Sequence, residues 1–195
     1  RPLQNDYSVA STVLVQRIPQ FSSVSVPVGS KMTASNWQGN GGGVVIFRST
    51  GAVDIEGTID VSEMGYNGGA GAFASTTDGE QGESYFGSGS TGVSSANYGG
   101  GGSAGARNNK ANCGGGGGYA ISGTSGTNVG GSAISDGGLS YGTSSLVTWY
   151  MGSAGGAGAP DNGSTSSDAS GDGGDGGGII TIWSEGDISI YGVLM

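Results

Sequence analysis

There is no histidine in this chain, there is a single cysteine, and only 11 % of the residues are charged. Without histidine there is no imidazole general base, no Ser-His-Asp arrangement and no histidine metal cluster. One cysteine cannot build an internal disulfide framework or a cysteine-dominated zinc site. That residue, Cys113, lies between Asn112 and Gly114 and is expected to be small and buried. Six Lys and Arg stand against fifteen Asp and Glu, for a net charge of −9. Phosphate binding needs a basic patch, so nucleic acid is not an expected partner. No signal segment or membrane-spanning run is visible, so membrane insertion is not expected either. The chain opens on Arg1 and stops at Met195 inside a repeated stretch, so we expect a piece of a longer protein.

What is abundant is glycine, 46 of 195 residues, against an average usage of about 7 %. Interior glycine costs a helix about 1 kcal/mol relative to alanine, so essentially no helix is expected. Eight Tyr, four Phe and three Trp accompany the glycine. Charged disordered segments are poor in aromatics, so the composition also argues against ordinary disorder.

One stretch occurs twice. Gly41-Gly42-Gly43-Val44-Val45-Ile46-Phe47 returns, 135 residues later, as Gly176-Gly177-Gly178-Ile179-Ile180-Thr181-Ile182. Each copy continues through a serine (Ser49, Ser184), a glycine (Gly51, Gly186) and an alternating strand (Val53 to Ile55, Ile188 to Ile190). A second glycine (Gly57, Gly192) and another apolar pair follow. In the second copy Trp183 and Tyr191 stand where the first has Arg48 and Glu56, so that face is apolar.

Upstream, Thr12 to Ile18 reads as a strand broken by Pro19, and Val24, Val26 and Val28 fall on one face. A short strand over 31–34 leads to Trp37. Short strands every six to eight residues, separated by single glycines, suit stacked coils of a parallel β-solenoid better than an antiparallel sandwich.

Between the copies the glycines cluster, as in Gly99-Gly100-Gly101-Gly102 and Gly114-Gly115-Gly116-Gly117-Gly118. A flexible linker and a packed bundle of polyglycine II strands are the competing structures. Clusters recurring every 10–20 residues, interleaved aromatics and little Pro, Lys or Glu favour the bundle. The expected fold class is therefore all-β or irregular: short β-solenoid-like strands framing a bundle of polyglycine II strands. The expected divisions are a β-rich entry segment over 1–61, the glycine-rich tract with its loops over 62–178, and the second repeat copy over 179–195.

Few residues promise chemistry. Asp54, Glu56 and Asp60 alternate along one outer face, and Asp172 and Asp175 lie among glycines. We expect solvated carboxylates rather than a glycosidase pair. The run from Asp161 through Asp168 to Asp175 could offer calcium carboxylate and backbone oxygens, but it matches neither the EF-hand loop nor the nonapeptide calcium repeat. The 114–118 run lacks the lysine and helix of a phosphate loop. No cofactor and no metal is expected, and the chain is not expected to be an enzyme. The aromatics stand out more: Tyr66, Phe73, Tyr98 and, as the binding candidates, Tyr85, Phe86, Tyr119, Tyr141, Trp149 and Tyr150. Tyr beside Ser, Gly and Asn is the composition of adaptable binding loops, and the rings are expected to be exposed; the alternative is that they simply cap the ends of glycine strands.

The stretches Val15 to Val26, Met32 to Gly43, Gly51 to Val61 and Gly65-Tyr66-Asn67-Gly68-Gly69-Ala70-Gly71 resemble a glycine-rich module. That module belongs to tailed-phage tail-fibre and adhesin proteins and to large secreted bacterial surface proteins. The resemblance implies a virion or extracellular module whose loops bind a cell-surface glycan or protein receptor on a rigid scaffold. Self-association or attachment to a larger fibre is compatible with it. The rival reading is a structural repeat of a secreted filament or surface layer with no ligand. An ice-binding face would need a flat plane of Thr or small residues, which is not evident.

Overall fold

The computed structural model describes residues 16–72, 78–92, 99–100, 112–127, 133–145, 148–159 and 170–195. Every regular element among them is a strand. Three strands come first: β1 (Gln20–Phe21), β2 (Val24–Val26) and β3 (Lys31–Thr33). The first repeat copy forms β4 (Val44–Ser49), β5 (Val53–Ile55) and β6 (Thr58–Asp60). Within the tract lie the short antiparallel pair β7 (Gly126–Thr127) and β8 (Ala133–Ser135). The second copy forms β9 (Ile179–Ser184), β10 (Ile188–Ile190) and β11 (Val193–Leu194).

The triplets interleave. Each of three parallel sheets takes one strand from each triplet, in the orders β1-β4-β9, β2-β5-β10 and β3-β6-β11. Val44 pairs with Ile179 and the register runs unbroken to Ser49 and Ser184, so the two copies lie side by side. Parallel strands need a long crossover between them, and here the whole glycine tract is that crossover. Its two ends meet where Gly178 donates its N–H to the Val61 carbonyl at 2.9 Å.

Alternation decides what is buried. In β4, Val45 and Phe47 point inward; in β5 and β6, Val53, Ile55 and Ile59 do so, and Ile55 and Ile59 are fully buried. Each such side chain contributes about 2 kcal/mol through burial. The columns Val24–Val53–Ile188 and Val26–Ile55–Ile190 stack like on like. Gly57 lets the chain turn beneath a neighbour, since a Cβ there would meet the carbonyls of Pro27 and Ser30.

Four expectations change. The strand expected to break at Pro19 instead begins after it, at Gln20, with the Pro19 carbonyl accepting the Arg48 N–H at 3.0 Å. Residues 12–15 lie outside the described residues. Val28 does not join Val24 and Val26: the 27–30 turn closes with Ser30 N–H on Pro27 O, Gly29 adopts φ 77, and Val28 turns out to solvent, 78 % exposed. Cys113 is exposed rather than buried, because only its backbone faces its neighbours, donating to Thr127 and accepting from Ser135 Oγ. The carboxylates are not all merely solvated. Asp60 forms an ion pair with Lys31 at 2.6 Å, and Asp172 and Asp175 accept the N–H groups of Gly71 and Gly68 at 2.8 and 2.7 Å.

In the described segments of the tract the hydrogen bonds follow a period of three. Along 151–159, Gly152, Gly155 and Gly158 donate to the carbonyls of Gly177, Gly174 and Gly171. Ala154 and Ala157 donate to Glu83 and Glu80, while Gly156 and Ala159 donate to Gly115 and Asn112. Successive residues thus serve three different neighbours in rotation, unlike a strand, whose groups alternate between two sides. The 170–178 segment repeats the step: Ser170, Gly173 and Gly176 donate to Ala72, Gly69 and Tyr66. Such segments leave no room for side chains where they touch. A Cβ on Gly68, Gly82, Gly114, Gly117 or Gly176 would overlap a neighbouring carbonyl. Ala154 and Ala157, 1 % and 0 % exposed, carry small side chains buried between such segments.

Candidate functional site

The loops that join these segments carry the aromatic rings, and at one end the rings meet. Tyr85 and Phe86 occupy a two-residue turn closed by reciprocal backbone hydrogen bonds between Ser84 and Gly87, at 3.1 and 3.0 Å. The Ser84 hydroxyl accepts the Phe86 N–H, and Gly87 takes φ 123, a conformation that L side chains rarely adopt. Tyr119 ends the 112–118 segment. Its carbonyl accepts the Tyr141 N–H at 2.6 Å, which brings the loop carrying Tyr141 alongside. Trp149 and Tyr150 lead directly into the central 151–159 segment.

Tyr141 is the centre of the cluster. Its ring lies 5.1 Å from Tyr85, 5.0 Å from Tyr119 and 5.8 Å from Tyr150, and Tyr85 and Tyr150 approach to 4.5 Å. Phe86 packs edge-on against Tyr85. Offset and edge-on ring pairs add about 1 kcal/mol each beyond area burial. The Tyr141 hydroxyl donates to the Met151 carbonyl at 2.6 Å, and burial pushes its ionisation well above the ordinary tyrosine range. Five of the six candidate rings therefore form one contiguous group. The sixth, Trp149, packs instead on Trp183 at 5.5 Å.

The exposures divide the roles. Phe86 and Trp149 are 68 % and 42 % exposed. Tyr85, Tyr119 and Tyr150 are half-buried. Tyr141 and Tyr66, both expected at the surface, are buried, because each packs beneath other rings. Phe73 and Tyr98 lie outside the described residues.

A groove of about 720 Å³ runs between this cluster and the second repeat copy. Tyr119, Trp149 and Tyr150 form one wall. The backbone of Gly177 and Gly178 and the strand residues Ile179 to Ile182 form the other. Rings on one side and backbone groups on the other can hold a ligand by stacking and by directional hydrogen bonds.

A second arrangement braces the cluster from behind. Glu83 Oε2 accepts from Trp37 Nε1 at 2.9 Å, Asn67 N–H at 3.1 Å and Asn67 Nδ2 at 2.9 Å. Trp37 stands edge-on to Tyr66 at 5.6 Å. Burial, reinforced by the Glu83 charge, pushes the Tyr66 hydroxyl up to about 12. Sequence reasoning missed Trp183 and Glu83 as partners of the site. Trp183 was legible as the aromatic replacing Arg48, but Glu83 gave no signal.

Among the described residues, no three His, Cys, Asp or Glu side chains gather as a metal site. Asp161 and Asp168 lie outside those residues. No described helix is long and apolar enough to cross a membrane. No protein-family model, curated protein or solved structure matches the chain.

Proposed function

We propose that this chain is a non-enzymatic adhesin module of a virion tail or cell surface that binds a cell-surface receptor through its aromatic loop cluster. The carrying observation is convergence. Rings from four separate loops, at 85–86, 119, 141 and 149–150, assemble beside one groove. Trp149, 42 % exposed, lines that groove, and Phe86, 68 % exposed, presents its ring to solvent at the edge of the cluster. Such rings are typical anchors of recognition surfaces.

The scaffold in this reading is a short β-solenoid of three coils holding a bundle of polyglycine II strands. The interleaved triplets support the solenoid. The rotation of hydrogen bonds among three neighbours supports the bundle, because polyglycine II has the three-residue turn of polyproline II and no internal bonds. Ordering glycine is entropically costly, and dense bonding to neighbours offsets that cost. Amide exchange tests the scaffold. Slow exchange over 112–118 and 151–159 is expected, and exchange at free-chain rates would refute the bundle.

Binding is tested with fluorescently labelled protein on a panel of bacterial cells and on an array of their surface glycans. On any cell that binds the wild type, Phe86→Ala and Trp149→Ala together should weaken binding at least tenfold with unchanged thermal unfolding. Undiminished binding by the double variant would overturn the assignment of the site.

A further inference from the structure

We propose that Asn40 is a site of spontaneous covalent change, in which the Gly41 backbone nitrogen cyclises onto the Asn40 side chain, and that the fold holds the same dipeptide at Asn67-Gly68 against this reaction. This inference does not rest on the receptor-binding reading.

The chemistry needs only water. The Gly41 nitrogen gives up its proton and attacks Asn40 Cγ. A C–N bond forms, the bond from Cγ to Nδ2 breaks, and the side-chain nitrogen leaves with a proton as ammonia. The product is a five-membered succinimide ring. Water then opens one of its two carbonyls, giving aspartate or isoaspartate at position 40. Either product carries a new negative charge. In isoaspartate the chain runs on through the side-chain carbon, so the backbone gains one atom. A following glycine favours the step, because no Cβ shields its nitrogen and its backbone rotates readily.

Asn40 and Gly41 sit in the loop that leads into β4, between Gly39 and Gly42, which take φ 81 and 110. The Gln38 N–H donates to the Gly41 carbonyl at 3.0 Å, a bond that uses neither reacting atom. Among the described residues, neither the Asn40 side chain nor the Gly41 N–H makes a hydrogen bond. Nothing on either group has to be broken before the nitrogen reaches Cγ.

At Asn67 both reacting groups are engaged, each by a carboxylate. Asn67 Nδ2 donates to Glu83 Oε2 at 2.9 Å, and the Gly68 N–H donates to Asp175 Oδ1 at 2.7 Å. The Asn67 N–H donates to the same Glu83 oxygen, and the Asn67 carbonyl accepts the Glu83 N–H at 2.9 Å. Bringing Cγ to the Gly68 nitrogen breaks charge-assisted bonds. It also sets an anionic nitrogen beside the Asp175 carboxylate, and like charges this close repel. The Gly68 backbone is packed against Gly173, whose carbonyl a Cβ would overlap, so it has no room to swing. Both asparagines are exposed. Access to water therefore does not separate them, and the hydrogen bonds do. A third Asn-Gly pair, Asn162-Gly163, lies outside the described residues.

Incubation of the whole chain in mildly alkaline buffer, followed by peptide mapping with mass spectrometry and enzymatic labelling of isoaspartate, tests this. Asn40 should convert at least tenfold faster than Asn67. In guanidinium chloride the two should convert at similar rates, because only the fold separates them. Asn40→Gln should remove the conversion at 40 and leave the rate at Asn67 unchanged. Glu83→Gln with Asp175→Asn should raise the Asn67 rate at least tenfold without changing the Asn40 rate. If that double variant unfolds, both sites accelerate together, and the wild type in buffer and in denaturant decides the question by itself. Equal rates in the folded wild type overturn the proposal, and so does an advantage of Asn40 that persists in denaturant. An unchanged Asn67 rate in a folded double variant overturns the protection assigned to Glu83 and Asp175.

Discussion

Gly173 and Gly174 are adjacent in the chain and opposite in environment. A Cβ on Gly173 would overlap the Gly155 carbonyl, whereas a Cβ on Gly174 would meet nothing within 4 Å. The difference follows from the three-residue period, which turns one position against a neighbouring backbone and the next toward solvent. Gly173→Ala should therefore destabilise the fold by about 1–3 kcal/mol, the usual cost of overpacking. Gly174→Ala should be neutral or stabilising by about 0.5 kcal/mol, since it restricts only the unfolded chain. Denaturant unfolding of the two variants checks this, and equal effects would contradict the period.

The same period places Asp172 and Asp175 opposite Gly71 and Gly68, whose N–H groups their carboxylates accept. Hydrogen bonds to charged groups contribute about 1.5–3 kcal/mol, and partial exposure puts these at the lower end. Asp172→Ala with Asp175→Ala should speed amide exchange at Gly68 and Gly71 more than elsewhere. Uniform acceleration across the described tract would instead mean a global loss of stability.

Asp60 gives the sheets an acid sensitivity. The Lys31 side chain, helped by the Ser62 N–H, lowers its carboxyl from 3.8 to about 2. Because the folded value lies below the unfolded one, ionised Asp60 favours folding above about pH 4, and this is lost as pH falls toward 2. Unfolding temperatures measured from pH 5 to pH 2 should fall more steeply for wild type than for Asp60→Asn. Parallel curves would remove Asp60 from the account.

Glu83 should be felt through Tyr66. Its charge contributes to holding the Tyr66 hydroxyl near 12, so Glu83→Gln should lower that midpoint in an ultraviolet titration. The same variant should alter Trp37 fluorescence, because the indole N–H loses a carboxylate partner. A Tyr66 midpoint unmoved by Glu83→Gln would remove the Glu83 charge from the account.

Much of the sheet architecture was legible because its punctuation is local. Gly51, Gly57, Gly186 and Gly192 mark the turns, and β-branched residues alternate between them, so both repeat copies could be read as strands. Their direct pairing was not legible, since nothing local says that Val44 finds Ile179 rather than a nearer strand. Val28 shows the limit of alternation: Val24, Val26 and Val28 share one period, but Pro27 and Gly29 turn the chain before the third can follow. In the tract, the six candidate rings could be picked by composition, but not their meeting. Tyr141 reaches the cluster through a hydrogen bond to Tyr119, and which loops lie at the same end depends on the order in which segments return. Cys113 was misjudged for a related reason. Cys113 follows Asn112 at a point where its backbone makes the contacts, so its side chain stays exposed while Ala154 and Ala157 are buried.

The tract leaves and rejoins the sheets at Val61 and Gly178, which share a hydrogen bond, so its two ends lie close enough for a short turn to join them. Replacing 62–177 by a short turn would leave the β4–β9 register intact. Conversely, lengthening the tract costs the sheets only the slowly growing entropy of a longer closed loop. A variant with a shortened tract should therefore keep the strand signature of the sheets in its circular dichroism spectrum, and loss of that signature would show that the sheets need the tract.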